Sequence, residues 1–267
     1  MKLALPNNLK AFARGVRKMG KPAMRELEVI RSAQVTEHML RVTLGGENID
    51  SIPEGQESAY IKLVFPRGEG ERPMMRTYTI RHQRATEIDV DFALHDHAGP
   101  ASSWAANAQP GDRITIGGPG PTKLINMEAD GFLLAGDMTA LPAISVNLAE
   151  LPADACGHAV IEVISEADIQ TLEHPPGIEL HWLVNPQPDP EGRPLLEKVA
   201  ALPRQEGQIS VWAACEFGSM RALRAHLKQA YEIPKSHFYV SSYWKIGQSE
   251  DGHKLAKQQD AEAEEAN

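Results

Sequence analysis

Arg76, Tyr78 and Thr79 stand in the run Met75-Arg76-Thr77-Tyr78-Thr79-Ile80-Arg81. A strand alternates its side chains, so Arg76 and Tyr78 share one face, while Thr77 and Thr79 lie on the other. A guanidinium holds a pyrophosphate through paired charged hydrogen bonds. A tyrosine ring stacks on a flat heterocycle, and a threonine hydroxyl or backbone N–H reaches that ring's edge. The set suits a flavin dinucleotide, with Thr79 near N5 of the isoalloxazine. An ordinary strand with an exposed arginine and a packed tyrosine accounts for the same residues, so other segments must decide.

Four of them bear on chemistry. In 89–94, Asp89, Asp91 and Ala93 share one strand face; Asp91 is counted with the cofactor-binding set. The strand ends at His95, Asp96 and His97, and Gly99-Pro100-Ala101-Ser102 then opens a helix. A helix N-terminus offers N–H groups and a positive dipole end to a phosphate. A plain capped helix with packing histidines reads equally from these residues, and no third ligand completes a metal site with His95 and His97. The second segment, Gly136-Asp137-Met138-Thr139-Ala140-Leu141-Pro142-Ala143-Ile144, is another loop-to-helix turn, with Thr139 as the expected cap. It is neither Gly-x-Gly-x-x-Gly nor a Walker loop, and a ligand-free capped helix stands level with nucleotide binding. Third, Cys215 and Glu216 end a strand; Cys215 packs or touches a cofactor, and Glu216 touches a nicotinamide or faces water. Fourth, Tyr243 and Trp244 are followed by Lys245, His253, Lys254 and Lys257. They read either as an edge strand with a solvated lysine face or as an aromatic cover with cations for an anionic substrate.

The elements that must position these residues divide the chain in two. Segments 26–35, 38–44, 59–65, 76–81, 87–94 and 113–116 are rich in β-branched and aromatic residues and are punctuated by Gly, Pro and Asn. Six strands with a short helix at 100–108 predict a closed antiparallel β-barrel over 25–120. The run 117–121, Gly-Gly-Pro-Gly-Pro, reads as a linker. From there strands at 131–135, 158–165, 179–184, 208–214 and 237–244 alternate with helices, predicting a parallel α/β nucleotide-binding domain over 121–252. Such sheets bind ligands at their carboxyl ends. Residues 1–24 read as a basic arm without a secretory apolar stretch, and 253–267 as a helical or frayed acidic tail.

The 267 residues carry a net charge of −9, which argues against general nucleic-acid or membrane-surface binding. Two cysteines, Cys156 and Cys215, are too few for a disulfide scaffold or an iron–sulfur cluster and fit a reducing cytoplasm. No apolar run approaches a membrane span.

Taken in order, Arg76-x-Tyr78-Thr79, His95 with Gly99-Pro100-Ala101-Ser102, Asp137-x-Thr139-Ala140-Leu141-Pro142-Ala143-Ile144 and Tyr243-Trp244-Lys245-x-Gly247 resemble the siderophore-interacting protein family. These are flavin-dependent ferric-siderophore reductases of the ferredoxin–NADP reductase-like superfamily. The resemblance implies that Arg76 holds the FAD pyrophosphate, Tyr78 stacks on the flavin and Thr79 addresses N5. It implies that His95 and Gly99 to Ser102 hold the remaining phosphate and adenosine side. Thr139 and Ala140 would sit beside the dinucleotide, and Trp244 would close the flavin region. Lys245, Lys254 and Lys257 would attract a ferric chelate. NADH or NADPH is the implied donor, with a ferredoxin as its replacement. A general flavin or quinone reductase and a siderophore-binding flavoprotein without turnover are the alternatives. The superfamily's glycine-rich turn is replaced here by Asp137-Met138-Thr139.

Overall fold

The structure, a computed structural model, describes residues 23–94 and 99–265. Of the expected features, the basic arm before residue 23 and His95 lie outside the described residues.

Six antiparallel strands close into a barrel: β1 (Met24–Thr36), β2 (Met39–Gly45), β3 (Tyr60–Phe65), β4 (Met74–Arg84), β5 (Glu87–Ala93) and β6 (Arg113–Gly117). Their order is β1-β2-β5-β4-β3-β6, with β6 pairing back on β1. The period-2 pattern sends Leu27, Val29, Val42, Leu44, Ile61, Leu63, Ile88, Val90 and Phe92 into a core with almost no solvent contact. Burying each such side chain contributes about 1.5–3 kcal/mol. The helix α1 (Pro100–Asn107) sets Ala101 and Ala105 into this core. One expectation was short: β4 continues past 81 to Arg84, because a bulge between Ile80 and His82 keeps it paired with β5.

The second half is a parallel sheet of order β11-β10-β7-β8-β9. Its strands are β7 (Gly131–Gly136), β8 (Cys156–Val163), β9 (Gly177–Val184), β10 (Ile209–Glu216) and β11 (Phe238–Trp244). One face packs on α2 (Leu141–Glu150), the other on α3 (Arg193–Ala200) and α4 (Phe217–Ala230). The strand order reverses between β7 and β10, where ligands enter sheets of this kind. The polar tail is an ordered helix, α5 (Glu250–Glu265), tied to α4 by Arg224–Asp260 at 2.7 Å and Lys228–Glu264 at 2.7 Å.

A buried carboxylate helps fasten the barrel to the sheet. Asp168, with no exposed side-chain surface, follows β8 in a short 3-10 turn. Its Oδ1 accepts from the Thr36 hydroxyl and the His38 amide, each at 2.8 Å. Its Oδ2 lies 2.7 Å from Nδ1 of His38 and accepts from the Ser165 amide at 3.1 Å. Burial pushes the carboxyl pKa up, but the hydrogen bonds from His38 and Thr36 outweigh it and hold Asp168 below the usual range. Replacing Asp168 by Ala leaves these half-buried donors without their shared acceptor. We expect D168A to lose about 2–4 kcal/mol in urea unfolding; a loss below about 1 kcal/mol would contradict the fastening role.

Candidate functional site

The barrel register sets the first part of the site. Arg76 pairs opposite Leu63 and Tyr78 opposite Ile61, both core residues, so the two point to the inner face of the barrel wall. Thr77 pairs opposite Lys62 and Thr79 opposite Tyr60, on the outer face. The Tyr78 ring lies against Phe92, centroids 4.4 Å apart, and burial pushes its phenol well above its ordinary pKa. The hydroxyl stays protonated, so the ring offers a neutral stacking surface. Arg76 keeps 20% of its side-chain surface exposed, with Nη1 bonded to the Met75 carbonyl.

Arg76 does not stand alone. Glu250, the first residue of α5, lies 3.7 Å from its Nη1 and also accepts from the Thr77 hydroxyl at 3.3 Å. Lys254, one turn along α5, pairs with Glu250 at 3.5 Å. Lys62 donates to Thr77 at 2.9 Å; burial lowers its ammonium pKa, and Glu250 acts in the opposite sense. Three cations thus surround one carboxylate where α5 meets the barrel. Sequence reasoning missed Lys62 because only the β3–β4 register brings it opposite Thr77.

At the sheet rim the organising residue is Asp137, buried just after β7. Its Oδ1 accepts from the amide of Thr139 at 2.9 Å and from its hydroxyl at 2.6 Å. Its Oδ2 accepts from the Glu216 amide and the Trp244 indole N–H, each at 2.8 Å. Two expectations are corrected here. Thr139 does not cap α2, since its hydroxyl is spent on Asp137 and Ala140 stands at the cap position. Glu216 does not face water: its buried carboxylate caps α4 through the amides of Gly218 and Ser219 and holds the Ile246 amide at 3.1 Å. Close approach explains Gly136, where a Cβ would meet the Ala214 carbonyl oxygen at 2.4 Å and the Ala140 Cβ at 2.9 Å.

The remaining expected residues fall into three places. Gly99 stands at the N-cap of α1, where among the described residues a Cβ would meet nothing within 4 Å, and Ala101 two residues on is buried in the barrel core. Ser102 is buried and donates to the Gly99 carbonyl at 3.1 Å. Asp91 is bound bidentately by Arg41, at 2.6 and 2.7 Å, on the face of β5 opposite the core residues Val90 and Phe92. Of the lysines, Lys245 lies 4.5 Å over the Phe217 ring. Lys257 is committed to β11, donating to the Ser241 hydroxyl at 2.7 Å and the Ser242 carbonyl at 3.2 Å. Beside it His253 is buried against Ser242, and burial, aided by nearby lysines, brings its pKa down to about 4.

The residues fit FAD: a partly exposed guanidinium and a neutral ring on the same strand face, with a helix N-terminus opening at Gly99. Bound flavin supplies the conversion of a two-electron donor into one-electron steps.

Glu162, near the carboxyl end of β8, was not singled out in the sequence. Burial, reinforced by Asp137 and Asp189, pushes its carboxyl up to about 7. The unfolded carboxyl releases its proton near 4.5, so between these values the native state holds more protons and stability falls as pH rises. The wild type should therefore lose stability relative to Glu162→Gln between pH 5 and pH 8, by roughly 2–3 kcal/mol. Equal differences at both pH values would show that Glu162 ionises as freely as in the unfolded chain.

Comparison with known proteins agrees with this geometry. Residues 28–72 and 67–123 match the siderophore-interacting FAD-binding domain, and residues 129–247 match the siderophore-interacting protein domain. The ferric vibriobactin reductase ViuB of Vibrio cholerae is 34% identical over 252 residues, covering 86% of this chain and 92% of that protein. The siderophore-interacting protein SipS from Aeromonas hydrophila superposes with a TM-score of 0.81 at 34% identity, over 90% of this chain and 99% of its own. A siderophore utilization protein from T. fusca follows at 0.77 and 32%, over 88% and 98%. Two domain matches that span the barrel and the sheet, and relatives aligned along nearly their whole length, make this chain a member of the siderophore-interacting protein family.

Proposed function

We propose that the protein is an FAD-dependent ferric-siderophore reductase, taking reducing equivalents from NADH or NADPH and releasing Fe(II). The observation that carries this reading is the cation group where α5 meets the barrel: Arg76, Lys62 and Lys254 gather around Glu250 and Thr77, on the strand that carries Tyr78. On a chain of net charge −9, such a group is a local attraction for anions.

Arg76 binds the pyrophosphate, Tyr78 offers its ring to the isoalloxazine and Thr79 addresses N5. The turn from Gly99 to Ser102 takes the second phosphate and the adenosine side. Thr139 and Ala140, beside the reversal of strand order, receive the nicotinamide dinucleotide. Trp244, tethered through its indole N–H, closes the region between them. A ferredoxin in place of the nicotinamide leaves the barrel assignments unchanged.

The substrate is an anionic ferric chelate. Lys254 and Lys62, grouped with Arg76 around Glu250 and Thr77, recruit it, with Lys245 just past the end of β11. Lys257 acts indirectly, by seating α5. No acid–base residue is needed for electron transfer to iron. The protein's work is to hold donor and acceptor close and to offset the chelate's charge. Reduction weakens the hold of hard oxygen ligands on the metal, which frees it.

Steady-state reduction of a ferric catecholate and a ferric hydroxamate, with NADH and NADPH compared, tests this reading. Lys254→Glu should raise the chelate KM about tenfold and flatten its salt dependence, since the attraction is screened over a Debye length of about 10 Å at 0.1 M salt. FAD affinity should hold. An unchanged KM would remove Lys254 from the substrate site. Quinones reduced as fast as any chelate would favour a general quinone reductase.

A further inference from the structure

A second convergence of ligating side chains lies on the sheet, away from the Asp137 rim. His158 stands early in β8 and pairs with Leu133 of β7 on one side and with Glu179 of β9 on the other. His181 follows two residues after Glu179, so strand pleating sends all three side chains to one face. That face carries α3 and α4, because Val160, in the same row as His158, packs with Leu195 and Val199.

The three side chains meet closely. Nδ1 of His158 lies 3.2 Å from Nε2 of His181. The two oxygens of Glu179 stand 3.6 Å from the first nitrogen and 3.8 Å from the second. A tetrahedral ion with bonds of about 2.0–2.2 Å spaces its ligand atoms about 3.3–3.6 Å apart. The nitrogen–nitrogen distance already matches one edge of a coordination tetrahedron, and a turn of the exposed Glu179 carboxylate brings one of its oxygens to the third corner. Two neutral rings sharing one proton would explain the nitrogen–nitrogen distance alone. They would leave the carboxylate facing two nitrogens with no proton to offer it, whereas one cation at the centre partners all three.

We propose that His158, His181 and Glu179 bind a divalent first-row transition-metal ion that clamps the edge strand β9 onto β8. Two imidazoles and one carboxylate suit Zn²⁺, Co²⁺ or Fe²⁺ and disfavour Mg²⁺ and Ca²⁺. The rings are nearly enclosed, at 13% and 12% side-chain exposure, while Glu179 is 67% exposed. The fourth position opens on its side, into a depression bounded by Cys156, Gly177, Arg204 and Glu206. That depression gives the ion its path in. The sequence hid the site because His158 lies 21 residues before Glu179 on a separate strand and Glu179-x-His181 alone matches no zinc-motif spacing; only the β8–β9 register brings them together.

The test uses tag-free full-length protein, stripped with a chelator and titrated with Co²⁺. The expected result is one equivalent bound, with the visible d–d absorption of a four-coordinate site, displaced by Zn²⁺. Affinity should fall about 100-fold in His181→Ala and at least tenfold in Glu179→Gln. The exposed position of Glu179 makes the second variant a check that lost binding is not lost folding. Zn²⁺ should raise the melting temperature of the wild type and leave that of His181→Ala unchanged. Absence of the band, or equal Co²⁺ affinity in wild type and both variants, would overturn the proposal.

Discussion

One buried carboxylate holds the sheet rim together. Asp137 accepts four hydrogen bonds, from Thr139 twice, Glu216 and Trp244, and so joins the ends of β7, β10 and β11. Burying it is costly and raises its pKa, while those bonds work against the rise. Glu216, held by Asp137 through its amide, spends its own carboxylate on α4 and on Ile246. From there the chain runs from Trp244 to Glu250, which lands on Arg76 of the barrel. Polar contacts at both ends of this short segment thus link the strand reversal of the sheet to Arg76 of the barrel.

The electrostatics divide in the same way. Lys257 and His253 fix α5 to β11, and Arg224 and Lys228 fix it to α4. What remains at the barrel end of α5 is the group of Arg76, Lys62 and Lys254 around Glu250. Glu250 offsets part of their mutual repulsion and keeps the guanidinium at the barrel wall. Charges held in place in this way cost an anion little energy of ordering.

Local pattern made much of this legible. Strand alternation put Arg76 and Tyr78 on one face, as the β3–β4 register bears out, and the change from strand runs to alternating elements marked the passage from barrel to parallel sheet. Pairing across distance was not legible. Lys62 enters the site through a partner fifteen residues away, and Asp91 is committed to Arg41 fifty residues upstream. Thr139 and Glu216 were misread for one reason: a short side chain at a turn offers several bonds, and sequence does not say that a buried aspartate will claim one or that a helix end will claim the other. The lysines at 254 and 257 looked equivalent until the fold gave them different partners, Glu250 for one and β11 for the other.

The central claim is that electrons pass from flavin held at Arg76 and Tyr78 to chelated iron. It is tested most directly by a single turnover without nicotinamide. The FAD-loaded protein is photoreduced under anaerobic conditions and mixed with a ferric catecholate and a ferrous trap. The account predicts two ferrous ions for each fully reduced flavin, formed as the flavin absorption returns. Flavin that stays reduced with every chelate, or reoxidises without trapped ferrous iron, would contradict it.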